Sequence, residues 1–347
     1  MAGDLVLLTG ATGFLGYTTL IALLKAGYKV RAAVRSQSKA SKVERAPSFK
    51  ALKASVDWVT VPDMTADGAY DAATKGVKYI VHVASPIPTF GDEPIPPEKY
   101  EEYFLKGSPK GAVGMLESAQ RSGTVERVVI TSSTVAILPF EYFTGTTDYT
   151  IDFPAEHRIP DVSGPFKFEF QAYSAGKAAA LNATEKWMAE RKPNFDLVSI
   201  IPSWIFGRDE LVTDVQSFTK GSTNSVLAGL LLGTKGETPF NGNAVLSDDV
   251  AKLHVLSLDP KIPGNQSFIA SVDMEWEDAI KILKKSFAKE VEDGTLSVEG
   301  KQGTLPIKHP NKTTEDTFDG FKFTPFEKIV EAVANQYLDM AKREVLS

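Results

Sequence analysis

The stretch from Leu5 to Ala26 constrains the chain more than any other, because an apolar run stops at a glycine and restarts at once as a helix. Leu5-Val-Leu-Leu-Thr9 shows no polar alternation, as a strand buried on both faces requires, and it ends at Gly10. From Gly13 to Ala26 the residues Phe14, Leu15, Leu20, Leu23 and Leu24 fall at helical spacing, and Gly27 suits the helix C-terminus. The same rhythm repeats. Tyr28–Val34, Val56–Val61, Tyr79–Val83 and Arg127–Thr131 read as strands two to five, with a helix over Ala112–Gln120 before the fifth. A helix over Ala172–Arg191 leads to a sixth strand, Asp196–Ile201, stopped by Pro202. Repeated strand–helix alternation demands right-handed crossovers and an α/β fold, a doubly wound parallel sheet covered on both faces.

After Pro202 the rhythm breaks: 208–245 and 260–325 hold glycines, prolines and only short periodic stretches. One helix, Ser247–Leu258, opens on Ser247-Asp-Asp as a capped helix would and is expected to return to the sheet. A last helix, Pro325–Arg343, carries Ile329, Val330, Val333 and Leu338. The 347 residues leave room for two domains of roughly 100–200 each. The expected division is a Rossmann-type domain over 1–207 with a returning segment at 243–260. A smaller, discontinuous substrate domain would comprise 208–242 and 261–347, the cleft lying between them at the carboxyl ends of the strands.

Composition narrows the function. A chain 43% hydrophobic and 24% charged can bury a large core, which excludes a disordered or fibrous protein. A net charge of −6 argues against a nucleic-acid surface, and the lack of cysteine excludes disulfides, thiolate catalysis and iron–sulfur sites. His82, His157, His254 and His309 lie far apart with no ligand spacing, so no metal is expected. The N-terminus has no basic segment, and the runs Leu5–Leu8 and Val226–Leu232 are too short for a signal-peptide core or a membrane span. Asn182, Asn265 and Asn311 begin N-x-S/T triplets that, without a secretory signal, read as chance matches. The expectation is a soluble cytoplasmic protein with no nucleic-acid or membrane partner, as a monomer or a homodimer.

Gly10, Gly13 and Gly16 stand where strand one meets helix one. The first permits the tight turn, the second lets a pyrophosphate approach the backbone, and the third lets the helix pack on the sheet. The helix start supplies free N–H groups and partial positive charge. An NAD site places an acid about 20 residues past this loop for the ribose 2′-hydroxyl. Tyr28 through Val43 holds no acid but carries Lys29, Arg31, Arg35, Lys39 and Lys42. Arg35 could grip a 2′-phosphate with its guanidinium fork and Lys39 could add a charge, so NADP(H) is expected. Asp63, after strand three, could accept a hydrogen bond from the adenine amino group or simply shape a turn.

Tyr173-Ser-Ala-Gly-Lys177 opens the helix before strand six, and its spacing puts the phenol and the ammonium on one helix face. A nearby ammonium should favour phenolate and lower a pKa that is otherwise about 10. Tyr173 then becomes a proton donor to a developing alkoxide, while Lys177 could also hold the nicotinamide ribose. Ser133, in Thr131-Ser-Ser-Thr134 at the end of strand five, could hydrogen-bond the same carbonyl oxygen. The segment Pro139–Phe170 between them is unusually aromatic, with Phe140, Tyr142, Phe143, Tyr149, Phe153, Phe166, Phe168 and Phe170, and reads as a flap or wall over the cleft.

Together Thr9–Gly16, Asp63-Met64, His82-Val-Ala-Ser85, Thr131-Ser-Ser-Thr134 and Tyr173–Lys177 make a chain that resembles an extended short-chain dehydrogenase/reductase. Lys29-Val-Arg31 with Val34-Arg35-Ser36 is similar to the dihydroflavonol reductase, cinnamoyl-CoA reductase and yeast-type methylglyoxal (carbonyl) reductase group. The likeness covers about residues 3–260. It implies a catalytic triad of Ser133, Tyr173 and Lys177. It also implies a cofactor site of Gly10, Thr12, Gly13, Phe14, Leu15, Gly16, Arg35, Lys39, Asp63, Met64, Ala84, Tyr173, Lys177, Pro202 and Ser203. Ser133 is followed by Thr134-Val-Ala-Ile rather than the Val-Tyr-Gly usual in nucleotide-sugar epimerases, which favours the reductases. Ser85, Pro86, Val135, Trp204 and Phe218 are candidates to line the substrate pocket. The expected activity is NADPH-dependent reduction of an aldehyde or ketone, of apolar or aromatic character, as a secondary-metabolite intermediate would be. An NAD(P)-dependent epimerase or dehydratase and a non-catalytic NADP-sensing regulator are the alternatives.

Overall fold

The computed structural model describes residues 3–90 and 93–346. The first six strands are β1 (Leu5–Thr9), β2 (Lys29–Val34), β3 (Val56–Thr60), β4 (Tyr79–His82), β5 (Arg127–Thr131) and β6 (Asp196–Pro202). Six more follow: β7 (Trp204–Phe206), β8 (Phe240–Asn241), β9 (Asn243–Leu246), β10 (Gln266–Ala270), β11 (Val272–Asp273) and β12 (Thr304–Leu305). Seven of them form one parallel sheet in the order β10-β6-β5-β4-β1-β2-β3. The order reverses beside β1, so the glycine turn after β1 opens at the switch point of a Rossmann-like sheet.

Helices α1 (Phe14–Lys25), α2 (Gln37–Arg45), α3 (Pro47–Leu52), α4 (Gly107–Ser122) and α5 (Glu169–Arg191) alternate with the first six strands. Next come α6 (Val215–Phe218), α7 (Asn224–Leu231) and α8 (Ser247–Leu256). Helices α1 and α8 pack together on one face of the sheet, and α4 and α5 on the other. Each face has its own apolar layer. Leu20, Leu23, Val129, Val250 and Leu253 fill the first, and Leu7, Ile80, Met115, Leu116 and Val128 fill the second. Leu20 and Leu23 are completely buried, and each contributes roughly 1.5–3 kcal/mol of transfer free energy.

Two expectations need correction. The sheet has a seventh strand, β10, drawn from the stretch 261–347 that the sequence pattern assigned to the smaller domain. Its five residues, Gln-Ser-Phe-Ile-Ala, are too mixed to announce a strand, and pairing with β6 supplies what propensity does not. Ser247 is also not a helix cap. It is the first helical residue of α8, Leu246 stands at the cap without a side-chain bond, and Asp249 instead accepts from the Thr324 N–H at 2.7 Å.

Beyond the sheet, helices α9 (Asp278–Ser286), α10 (Ala288–Glu292), α11 (Lys312–Thr317) and α12 (Phe326–Leu346) complete the chain. A separate apolar core gathers Phe218, Leu227, Leu231, Leu283, Ile329 and Val333 from α6, α7, α9 and α12, with Trp276 from the turn before α9. The excursion between β5 and α5 bridges the two regions. Phe153 packs edge-on to Tyr142, its N–H donates to the Lys308 carbonyl, and Arg158 pairs with Glu185 of α5. Among the described residues no helix is long and apolar enough to cross a membrane.

Candidate active site

Gly10 has φ of +77°, which only glycine adopts without strain, and a side chain there would press on the Ala84 backbone at 3.0 Å. At Gly16 a methyl group would lie 1.9 Å from the Gly10 carbonyl oxygen, so this glycine lets α1 sit on the turn. Gly13 differs. Its φ is ordinary, and a methyl group there would meet only the Gly10 oxygen at 3.6 Å and otherwise project into open space. No acidic residue occupies the first turn of α1. The turn is thus an open cradle of backbone N–H groups with the helix dipole behind it, and it fits a dinucleotide pyrophosphate. Thr12 and Phe14 are half-buried at its rim, and Leu15 is buried beneath it. The Thr9 hydroxyl accepts from Ala84 N–H at 3.0 Å and pairs with His82 Nδ1 at 2.9 Å, tying the end of β1 to the loop after β4.

Around the end of β2 the cations Arg31, Arg35 and Lys39 separate by role. Arg31 is occupied: its Nε donates to Asp57 at 2.6 Å and one terminal nitrogen to the Ala73 and Lys75 carbonyls. Arg35 and Lys39 are exposed, and neither side chain makes an ion pair or hydrogen bond among the described residues. They flank the start of α2, which has no acid in its first turn and no side-chain cap. Such a corner suits a phosphate. Asp63 shapes a turn, taking both the N–H and the hydroxyl of Thr65 on one carboxylate oxygen, which holds its pKa below the usual range and leaves the other oxygen free. Met64 packs against Gly111 of α4.

Tyr173 lies in the second turn of α5, partly exposed, and Lys177 follows one turn later, buried. The ammonium sits 6.0 Å from the phenol ring centroid and donates to the Thr131 carbonyl at 3.3 Å. Ser133, just past β5, lies against the phenol oxygen. Burial pushes Tyr173 up to about 12, and the neighbouring Ser133 hydroxyl offsets only part of that. Burial likewise lowers Lys177 to about 8. The expected depression of the tyrosine pKa is therefore absent, because the cost of removing the phenolate from water dominates. His82, fully enclosed near Lys177, is pushed down to about 3 by burial and stays a neutral imidazole.

The remaining candidates divide. Ser85 and Pro86 follow β4, and the Pro86 ring lies close to Gly107 at the start of α4. Val135 is buried beneath Ser133 in a short turn, Thr134–Ala136. Ser203 follows Pro202 at the end of β6; its N–H donates to Ala270, and its buried hydroxyl has no hydrogen-bond partner among the described residues. Trp204 is half-buried and donates to Asn241 at 2.7 Å. Phe218 is only 1% exposed inside the separate core of α6, α7, α9 and α12, so it fills that core and does not line a pocket. A cavity of about 550 Å³ lies elsewhere, at the opposite ends of β6 and β10 near Asp196 and Gln266, and contains none of these residues.

Rings of the β5–α5 excursion lead to Tyr173. Phe168, nearly half exposed, is 5.5 Å from Phe140; Phe140 is 6.3 Å from Phe170; Phe170 is 6.3 Å from Tyr173. On another side Phe104, fully buried in the π-helical turn Glu101–Lys106, stands 6.1 Å from Tyr173. Phe104 escaped notice in the sequence, although Gly176 marked its place: a methyl there would lie 2.5 Å from the Phe104 carbonyl oxygen. His254, set aside as a scattered histidine, pairs with the Thr131 hydroxyl at 2.7 Å.

The model of the NAD dependent epimerase/dehydratase family matches residues 6–268. Ketoreductase CTB6 of Cercospora beticola is 40% identical over 99% of this chain and 98% of that protein. Ketoreductase sphI of Aspergillus fumigatus is 27% identical over 98% of this chain and 99% of its own. Among solved structures, yeast methylglyoxal/isovaleraldehyde reductase Gre2, complexed with NADPH, superposes with a TM-score of 0.80 at 25% identity. That match covers 98% of this chain and 99% of the yeast one.

Proposed function

The chain belongs to the NAD dependent epimerase/dehydratase family, and on that premise we propose that it is an NADPH-dependent ketoreductase. One observation carries the reading: a phenol, an ammonium and a hydroxyl from α5 and β5 converge at the carboxyl edge of the sheet, beside an open phosphate cradle. The 40% identity to a ketoreductase along the whole length and the likeness to an NADPH-complexed reductase support it.

Bound NADPH would supply the hydride that reduces the carbonyl carbon. Gly10, Gly13 and Gly16 let the backbone approach its pyrophosphate, with Thr12, Phe14 and Leu15 at the rim, while Arg35 and Lys39 take the 2′-phosphate. Asp63 offers its free oxygen to the adenine, flanked by Met64; Ala84 borders the turn, and Pro202 and Ser203 border the nicotinamide. In this reading Ser133 and Tyr173 both donate to the carbonyl oxygen. A phenol held near 12 stays protonated across the physiological range, as an acid serving reduction must. Once its proton has moved to the alkoxide, the Lys177 ammonium favours the phenolate left behind. The aromatic run from Phe168 to Tyr173 supports an apolar or aromatic ketone, which would stack along the rings.

The test is to mix enzyme and NADPH with aryl ketones, aliphatic ketones and aldehydes and to follow nicotinamide absorbance. Stoichiometric consumption of NADPH with alcohol formation is expected; product formed without net consumption would assign an epimerase or dehydratase instead. Tyr173→Phe should lower kcat at least a thousandfold while leaving NADPH affinity intact. Ordinary turnover by that variant would remove the phenol from the reaction.

A further inference from the structure

Thr131 is held from both faces of the sheet. Toward β4 the strand ladder stops at His82 opposite Ile130, and the Thr131 carbonyl, one residue further on, is taken by the Lys177 ammonium at 3.3 Å. Toward β6 the ladder continues, with Ser132 N–H donating to Ile200 at 2.8 Å. The Thr131 side chain reaches the opposite layer, where its hydroxyl lies 2.7 Å from Nε2 of His254 on α8. The imidazole is completely buried, and its Nδ1 lies 2.6 Å from the Val250 carbonyl. A carbonyl only accepts, so Nδ1 carries the proton, Nε2 is an acceptor, and the Thr131 hydroxyl must donate to it. Burial pushes His254 down to about 4, which keeps that arrangement in place at neutral pH.

We infer that His254 is a positioning residue for the reductive site: from the helix layer opposite α5 it fixes Thr131, whose carbonyl seats the Lys177 ammonium and which lies two residues before Ser133. The inference rests on the assignment of Lys177 and Ser133 to catalysis. Its physical content is that Thr131 sits where the β4 ladder has ended, so its side chain supplies the restraint that a strand partner would otherwise give. Loss of that bond leaves a buried imidazole acceptor unsatisfied and frees the chain that carries Ser133. Helix α8 also packs on α1, the helix that opens on the glycine cradle. One helix thereby supports both the cofactor turn and the proton-donating corner.

The test compares Thr131→Val, which removes the hydroxyl at constant shape, with Thr131→Ser, which keeps it, and with His254→Leu and the Thr131→Val/His254→Leu pair. Thr131→Val and His254→Leu should each lower kcat about tenfold or more, since small displacements of reacting groups are costly. NADPH affinity and KM should stay within about twofold, Thr131→Ser should recover most of the rate, and the double variant should be no slower than the slower single. A merely structural role would lower the melting temperature without that kcat pattern. The inference is overturned if folded Thr131→Val keeps its kcat, if Thr131→Ser is equally slow, if the loss appears only in KM or NADPH affinity, or if the two losses multiply. The threonine pair decides the matter even where His254→Leu does not fold. Turnover by Tyr173→Phe would instead defeat the catalytic assignment, so the two failures remain distinct.

Discussion

Alanine at Gly16 and alanine at Gly13 place the same methyl group on the same turn with opposite expected consequences. At Gly16 the new carbon would stand 1.9 Å from the Gly10 oxygen and 2.4 Å from its carbonyl carbon, both backbone atoms that cannot rotate aside. Turn and helix must separate by about 1 Å, an overpacking that costs roughly 1–3 kcal/mol, or a fall in Tm of roughly 1–4 °C for a chain of this size. NADPH binding should fail with it, because the displaced turn is the cradle. At Gly13 the methyl meets one atom at 3.6 Å in an ordinary extended conformation, with φ of −105°. The small loss at a helix start is offset by reduced freedom of the unfolded chain, so Tm without ligand should move by less than about 2 °C. The methyl does, however, stand where the pyrophosphate must approach. Losing one charge-assisted hydrogen bond, about 1.5–3 kcal/mol, weakens NADPH binding roughly ten- to 150-fold. Thermal denaturation with and without NADPH, together with a fluorescence titration, reads both quantities. If Gly13→Ala binds NADPH as the parent does, the turn is not a phosphate site; if Gly16→Ala melts unchanged, the packing argument is wrong.

Lys177 should take up a proton when the cofactor binds. Burial holds it at about 8, so it is mostly neutral at pH 8.5, and the negative charge and ribose oxygens of a bound NADPH would favour the ammonium. Calorimetry at pH 8.5 in two buffers of different ionisation enthalpy should report uptake; release or none would contradict the assignment. Arg35→Ser should weaken NADPH binding about tenfold or more and leave NADH binding within about twofold, since only the 2′-phosphate distinguishes the two. Equal losses for both cofactors would move the 2′-phosphate away from the start of α2.

What could be read from the sequence was local. Strands β1 to β6 announce themselves as apolar runs, and the four-residue interval from Tyr173 to Lys177 puts both on α5, with the ammonium over the ring. Gly10 is legible because the turn after β1 needs a positive φ, and Gly16 because it approaches the Gly10 carbonyl six residues away. Where the deciding partner is distant, sequence was silent or misleading. β10 is a strand because of β6, about seventy residues upstream. Arg31 and Arg35 look alike in sequence, and Asp57, on the neighbouring strand, removes one of them from consideration. Phe218 is apolar in either setting, and the inward turn of α6 puts it in a core rather than a pocket. The tyrosine pKa reversed for the same reason. A pairing rule sees the ammonium four residues away but not the burial, and burial governs both groups, raising the phenol and lowering the amine. The proposed proton-donating pair is thus incomplete as a helix-spacing motif: β5 must also hold the ammonium, through the Thr131 carbonyl, before the spacing has chemical consequence.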